Sequence, residues 1–273
     1  MDEKKKSFYH VSELIPSISD ELLPEKPVIP EDGFLRYGLP SFDRFTGGMH
    51  SRDLVLITGG QDFERYALCG KIIRNLAVMR KQPVLVVPFD ISVEEFIKML
   101  ISTMTGINRS ELSANKIAIH ELACFITSGL KKIKVSDIYF SSAADNDPQT
   151  VCNNVRGFLN LLRNGVVVFL GLPPPATPGQ KSDWATEFET LKTIAAQDYA
   201  IMVSIGGEHI KKLTPVSNVI FQLADHEKTS AITSLEITIK RNTHGPCGDA
   251  RLKFDAEFGI VEEYGSYLKE SPR

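Results

Sequence analysis

One stretch constrains the fold more than any other: Leu54-Val55-Leu56-Ile57-Thr58-Gly59-Gly60-Gln61-Asp62-Phe63-Glu64-Arg65-Tyr66-Ala67. An apolar run stops at two glycines, crosses a few polar residues, and re-enters a helical pattern at Leu68, Ile72, Ile73, Leu76 and Ala77. Strand, glycine turn and helix are the setting of a phosphate-binding loop, whose template is G-x-x-x-x-G-K-[ST]. Gly59 stands where that template begins, with Gly60 beside it, but the last three positions read Glu64, Arg65 and Tyr66. The stretch has the architecture of a nucleotide site without its chemistry.

The rest of the chain supports an α/β reading. Its 273 residues suffice for one large domain with a tail or for two small ones. Apolar runs at 54–58, 83–89, 137–141, 166–172 and 200–205 alternate with helical patterns at 67–80, 92–104, 148–163 and 183–197, and 107–130 reads as shorter helices. Ser92 with Glu95 forms a capping box for the second of these helices. The run Val166 to Leu172 is the most apolar and is expected at the centre of the sheet. Segments 219–223, 234–241 and 249–254 alternate in the manner of antiparallel strands. The expected fold is a RecA-like P-loop-type domain: a mostly parallel central sheet flanked by helices, with antiparallel strands at its C-terminal edge.

Ahead of this domain, Phe8, Val11, Leu14, Ile15, Ile18, Leu22 and Leu23 recur at helical spacing, and Pro16 should kink that helix. Residues 23–33 carry three prolines and read as an extended linker. The apolar face must be covered, either by its own domain or by a neighbouring subunit. The expected layout is therefore a linker helix and Pro-rich linker over 1–33, the α/β domain over 34–264, and a tail over 265–273.

Composition narrows the function classes. A net charge of −3 offers no global attraction for nucleic acid, so such a contact would need a local patch. The four cysteines, Cys69, Cys124, Cys152 and Cys247, form no C-x-x-C pair, which suits free thiols in a reducing compartment and gives a cytoplasmic expectation. The charged N-terminus is followed by no apolar core, and no run has the length of a membrane span. The six histidines show no metal-ligand spacing, and Ser204 lacks a nucleophile-elbow context, so no metal site and no hydrolase are expected.

Two further segments make the chain resemble a known family. Gly38-Leu39-Pro40-Ser41-Phe42-Asp43-Arg44-Phe45-Thr46-Gly47-Gly48-Met49, leading into Asp53 to Ile57, resembles the opening of RecA-type ATPase domains. Gly245-Pro246-Cys247-Gly248 followed by Arg251 to Phe254 narrows this to the DnaB-type replicative helicases, and Ile138 to Phe140 and Leu191-Lys192 fit the same register. The resemblance runs from about Phe8 to the C-terminus and covers the motor domain with its linker helix. It does not extend to the family's helical N-terminal domain, which binds primase.

That resemblance assigns roles residue by residue. The loop lysine that contacts the β/γ-phosphates is replaced by Arg65, and the small magnesium-binding hydroxyl by Tyr66. Glu64 replaces a glycine that lets the backbone approach the phosphates. Two like charges about 4 Å apart at an effective dielectric of about 20 repel by about 4 kcal/mol, roughly three decades of affinity. Glu64 and Arg65 are expected to pair with each other on a solvated helix start. Asp90 stands where the family has a catalytic glutamate, and alone reads better as a cap for the next helix. Leu170 occupies the end of the strand that should carry a magnesium-binding aspartate, and Gly207 a position where a polar sensor is expected. Arg241 and Thr243 fall where the family has a lysine and an arginine finger directed at the neighbouring subunit.

Of the DNA-gripping loops, the first (173–181) is proline-rich, and the second contracts to residues 208–215, with Lys211 and Lys212 as its only cations. Neither holds an aromatic for base stacking, and Trp184 reads as a packing anchor. The resulting expectation is a non-catalytic protein that acts through contact with itself, an intact replicative helicase or another replication protein. It needs no cofactor, and single-stranded DNA binding is weak or absent. Two alternatives stand beside it. One is a divergent helicase motor using ATP and magnesium; the other is a module in which Gly59, Gly60 and Arg65 hold a regulatory anion.

Overall fold

The computed structural model describes residues 8–10, 35–114, 119–141, 148–161, 165–173, 184–194, 199–207, 209–225 and 234–264. Their centre is a ten-stranded sheet in the order β1-β4-β3-β5-β6-β2-β7-β8-β9-β10. The strands are β1 (Phe8–His10), β2 (Leu54–Gly59), β3 (Val84–Pro88), β4 (Ile138–Ser141), β5 (Gly165–Leu170), β6 (Tyr199–Ser204), β7 (Val219–Leu223), β8 (Ser234–Asn242), β9 (Gly248–Asp255) and β10 (Ile260–Glu263). From β4 to β7 every pairing is parallel. β8, β9 and β10 add antiparallel strands at one side, and β1 pairs antiparallel with β4 at the other.

Two-sided burial explains the continuous apolar runs. Along β2, Val55 and Ile57 enter one core while Leu54 and Leu56 enter the other. β5 repeats the alternation, with Val166, Val168 and Leu170 on the first face and Val167 and Phe169 on the second. Such strands cannot alternate with polar residues, because neither face meets water. The first face is covered by α1 (Pro40–Thr46), α2 (Asp62–Ile73) with its π-helical continuation Arg74–Met79, α3 (Val93–Thr105) and α4 (Arg109–Ser113). Also on this side are α5 (Ile119–Cys124), its π-helical continuation Phe125–Leu130, and α6 (Lys131–Lys134). The second face is covered by α7 (Pro148–Leu161), α8 (Trp184–Ile194) and α9 (His209–Leu213). Trp184 is the packing anchor expected of it: it is buried and meets Phe169 edge-on with ring centroids 6.0 Å apart.

Two expectations need correction. Phe8 begins no helix: Phe8–His10 is a strand whose backbone pairs with Tyr139, Phe140 and Ser141, so β4's outer edge is paired there. Val11, Leu14, Ile15 and Ile18, the remaining candidate interface residues, lie outside the described residues, as do the Pro-rich linker and the tail. Val219–Leu223 is not antiparallel to both neighbours; it runs parallel to β2 and antiparallel only to β8. Its burial on both faces places it inside the sheet, and strand direction there is set by connectivity rather than by residue pattern.

Candidate functional site

The parallel strands all end at one edge of the sheet. The turns after β2, β3, β5, β6 and β7 bring Gly59-Gly60, Asp90, Gly171, Gly206-Gly207 and Asp225 to that edge, where α/β sheets bind ligands. The β2–α2 turn is built on two left-handed glycines, Gly59 at φ 74° and Gly60 at φ 57°. A β-carbon at Gly59 would collide with the Leu223 carbonyl of the neighbouring strand, so this position needs glycine for its space as well as its φ.

Helix α2 begins at Asp62, three residues before Arg65. Residues 62–64, which in the loop template are its last two variable positions and its second glycine, are thus already helical. The expected pairing of Glu64 with Arg65 does not form, and neither residue is solvated; they are 1% and 3% exposed. Glu64 turns back and accepts the Gln61 N–H at 2.9 Å, the acidic half of a capping box. Arg65 donates to the carbonyls of Gly59 and Gly60 at 2.7 and 2.9 Å and pairs with Asp62. Its guanidinium also lies against Gly206, so it bridges the turns after β2 and β6. The Gly60 N–H is taken by the Asp225 carboxylate at 3.1 Å. Asp225 is 165 residues away from Gly60, and no spacing in the sequence connects the two.

Asp90 does not cap the next helix. Ser92 does, accepting the Glu95 N–H at 3.2 Å. Asp90 instead leans over Gly171, whose missing side chain leaves room for it: a β-carbon there would fall inside the carboxylate. The preceding Leu170 is fully buried in the first core. Asp90 also faces the Tyr66 hydroxyl at 3.5 Å, too long for a strong hydrogen bond. Desolvation, then the charge of Asp62, raises the Asp90 carboxyl above its ordinary value. Burial, then Asp90, raises the Tyr66 phenol. Tyr37, fully buried, is raised in the same way by burial, then by Asp53 and Asp43.

These phenols make the fold alkali-sensitive. Their folded pKa lies above that of a free tyrosine, about 10, so the unfolded chain releases its phenolic protons first. Stability is intact below that value and falls as pH rises above it. In a spectrophotometric titration, the phenolate signal of Tyr37 and Tyr66 is expected only together with loss of far-ultraviolet circular dichroism, and Tyr66→Phe should flatten the decline.

Gly207, at φ 73°, precedes α9, on which Lys211 and Lys212 are exposed to solvent. Arg241 and Thr243 are at the opposite edge, near the N-terminal ends of the parallel strands. Arg241 donates to the carbonyls of Thr214 and Pro215 at 3.0 and 3.1 Å. Beside it, His244 bonds the buried Asp53 at 2.8 Å and stacks on His50, an arrangement that sequence spacing did not suggest. Of the candidates, the structure gathers Gly59, Gly60, Glu64, Arg65, Tyr66, Asp90, Leu170 and Gly207 at one edge and leaves Arg241 and Thr243 at the other. Among the described residues, no group of three or more acidic, histidine or cysteine side chains could hold a metal ion. No described helix is long and apolar enough to cross a membrane.

Residues 35–170, which include the glycine turn, Asp90 and the end of β5, match the family described as the DnaB-like helicase C terminal domain. The chain carries a DnaB-like helicase C-terminal domain. It is 20% identical over 254 residues to the replicative DNA helicase DnaB of Buchnera aphidicola subsp. Baizongia pistaciae (strain Bp), covering 83% of this chain and 55% of that protein. The chain thus spans about half the length of the curated relative it matches. Among solved structures, the ATPase domain of G40P superposes with a TM-score of 0.71 at 19% identity, over 86% of this chain and 93% of that one. A DnaB-like replicative helicase, described with its interactions with primase, superposes with a TM-score of 0.70 at 19% identity, over 86% and 63%. At these identities the likeness to the solved structures is one of fold. The DnaB-like domain therefore has the RecA-like architecture expected from its sequence.

Proposed function

We propose that this DnaB-like domain is non-catalytic and serves replication, or the regulation of a helicase, through protein–protein contact. The observation that carries the reading is the internal use of the β2–α2 turn. Its Gly60 and Gln61 N–H groups, the kind of donors that cradle phosphate oxygens, are taken by the carboxylates of Asp225 and Glu64. The Arg65 guanidinium, the turn's own cation, is spent on two backbone carbonyls and on Asp62. A nucleoside triphosphate entering here would displace two carboxylates and then meet their charge. These residues do not fit ATP with magnesium, and no catalytic step is assigned to them.

The other positions support the same reading. Leu170, at the position of the metal-binding aspartate, is fully buried in the first core, and Asp90 occupies the space over Gly171 beside it. Tyr66 presents a buried phenol where a small hydroxyl would ligate magnesium. Phosphoryl transfer in this fold relies on metal, loop lysine and finger together, so losing all three removes the electrostatic stabilisation that drives it. Lys211 and Lys212 offer two charges on a short helix, which supports at most weak, salt-sensitive contact with single-stranded DNA.

Isothermal titration of the purified protein with ATP and magnesium is expected to give no binding heat, and phosphate release should stay at the protein-free rate. Hydrolysis that Arg65→Ala abolishes would replace this reading with that of a divergent motor.

A further inference from the structure

The N-terminal edge of the sheet carries a patch that the β2–α2 turn does not explain. Met79 and Val135 are 68% and 37% exposed there. Singly, such residues are ordinary; adjoining, they mark a contact surface. Met79 ends the π-helical continuation of α2, ahead of β3, and Val135 follows α6, ahead of β4. β3 and β4 are neighbours, and the Val84 N–H bonds the Asp137 carbonyl at 2.8 Å, so the two residues enter the same edge side by side. Cations flank them: Lys131, Lys132 and Lys134 of α6 on one side, Arg80 and Lys81 on the other. Among the described residues, the half-buried Asp137 lies between the two groups, and Arg80 also faces Asp43.

The chain itself supplies an acidic and apolar segment that starts and ends at this edge. β1 runs antiparallel to β4 and its last residue, His10, pairs with Tyr139, so residue 11 leaves beside the turn that holds Val135. The chain returns at Leu35, bridged to Met49, and the Arg36 carbonyl accepts from the Asn75 side chain, about one helical turn before Met79. Residues 11–34, which lie outside the described residues, contain six carboxylates and one lysine. Their apolar positions at helical spacing begin with Val11, Leu14, Ile15 and Ile18. Negative charge and apolar residues in the segment thus match positive charge and apolar residues on the edge.

Chain length allows the match to be made within one copy. β1 and β2 are five strand positions apart, about 24 Å. The 24 residues from 11 to 34 reach about 80 Å when extended and about 36 Å as a helix. With both ends fastened to one domain, the segment closes on that domain at little further entropic cost. Covering a neighbour instead would require it to loop out and back while its own apolar edge stayed bare.

We propose that residues 11–34 dock on the basic N-terminal edge of their own domain, with Leu14, Ile15 and Ile18 covering Met79 and Val135 and the flanking carboxylates meeting the lysines of α6. The apolar contact seats the segment. The ion pairs, exposed and screened by salt, fix its direction. Docked in this way, the segment does not join one copy to the next, whatever the β2–α2 turn binds.

Carbodiimide coupling, which joins a carboxylate to an amine in direct contact, tests this on an equal mixture of unlabelled and heavy-isotope-labelled chains. After digestion, mass spectrometry should find Glu13, Asp20 or Glu21 joined to Lys131, Lys132 or Lys134, with both halves of each pair carrying the same isotope. The yield should not change on about tenfold dilution, because the contact is intramolecular. Met79→Asp/Val135→Asp, at two exposed positions, should lower the yield at least about fivefold while the thermal melt stays cooperative. Pairs of mixed isotope at about half of the total would place the segment on a second copy and overturn the proposal. So would the absence of pairs between the segment and α6, or a yield unmoved by the double substitution.

Discussion

Gly171→Asp is expected to destabilise the protein by about 3 kcal/mol or more. Two costs add. Gly171 has φ 79°, a left-handed conformation that costs a side-chain-bearing residue about 1–2 kcal/mol. The new side chain must also displace Asp90, whose carboxylate occupies that space, and overpacking of this kind costs about 1–3 kcal/mol. Urea denaturation of the variant measures the sum. Adding Asp90→Ala should return the packing component but not the backbone component, so the double variant should lie roughly midway between wild type and Gly171→Asp. Strict additivity of the two substitutions would show that Asp90 and residue 171 do not share that space.

Arg65→Ala should cost about 3–4 kcal/mol, a loss of stability out of proportion for a residue at the position of a ligand-binding cation. The Arg65 guanidinium donates two charged hydrogen bonds to Gly59 and Gly60, each of a class that contributes about 1.5–3 kcal/mol, and its removal leaves those carbonyls without that donor. The melting temperature should fall by roughly 6–12 °C. Arg65→Lys should recover only part of this, because one ammonium cannot reproduce the planar fork that spans two carbonyls and Asp62. A loop cation kept for phosphate would behave otherwise: its removal would leave the apo-protein's stability nearly unchanged. A melting temperature within a degree of wild type would therefore count against a structural role for Arg65.

Both predictions concern residues whose identity was legible in the sequence and whose partners were not. Glu64, Arg65 and Tyr66 stand out against the loop template on inspection. Which groups they contact was beyond the pattern: Arg65 meets Asp62 and two carbonyls rather than Glu64, and Glu64 meets a backbone N–H. Asp225 was not a candidate at all, because it lies in no motif and only the strand order β2-β7 brings it to Gly60. Of the two caps read from the sequence for α3, Ser92 forms and Asp90 does not. Asp90 and Ser92 are both competent caps by residue type, and Asp90 instead fills the space over Gly171, in a different strand connection that no local pattern announces.

The sequence by itself determined the strand–turn–helix at the centre, the apolar runs that require a sheet buried on both faces, and the antiparallel extension at the C-terminal side. These follow from periodicity, glycine and capping residues, whose effects reach only a few neighbours along the chain. Tertiary structure alone decided two things. Phe8–His10 joins the sheet as an outer strand, because the unpaired backbone of β4 is a stronger claim than local helical spacing. The phosphate-type turn is closed by the protein's own carboxylates and guanidinium, because five strand ends converge on one edge and their charges must find partners there.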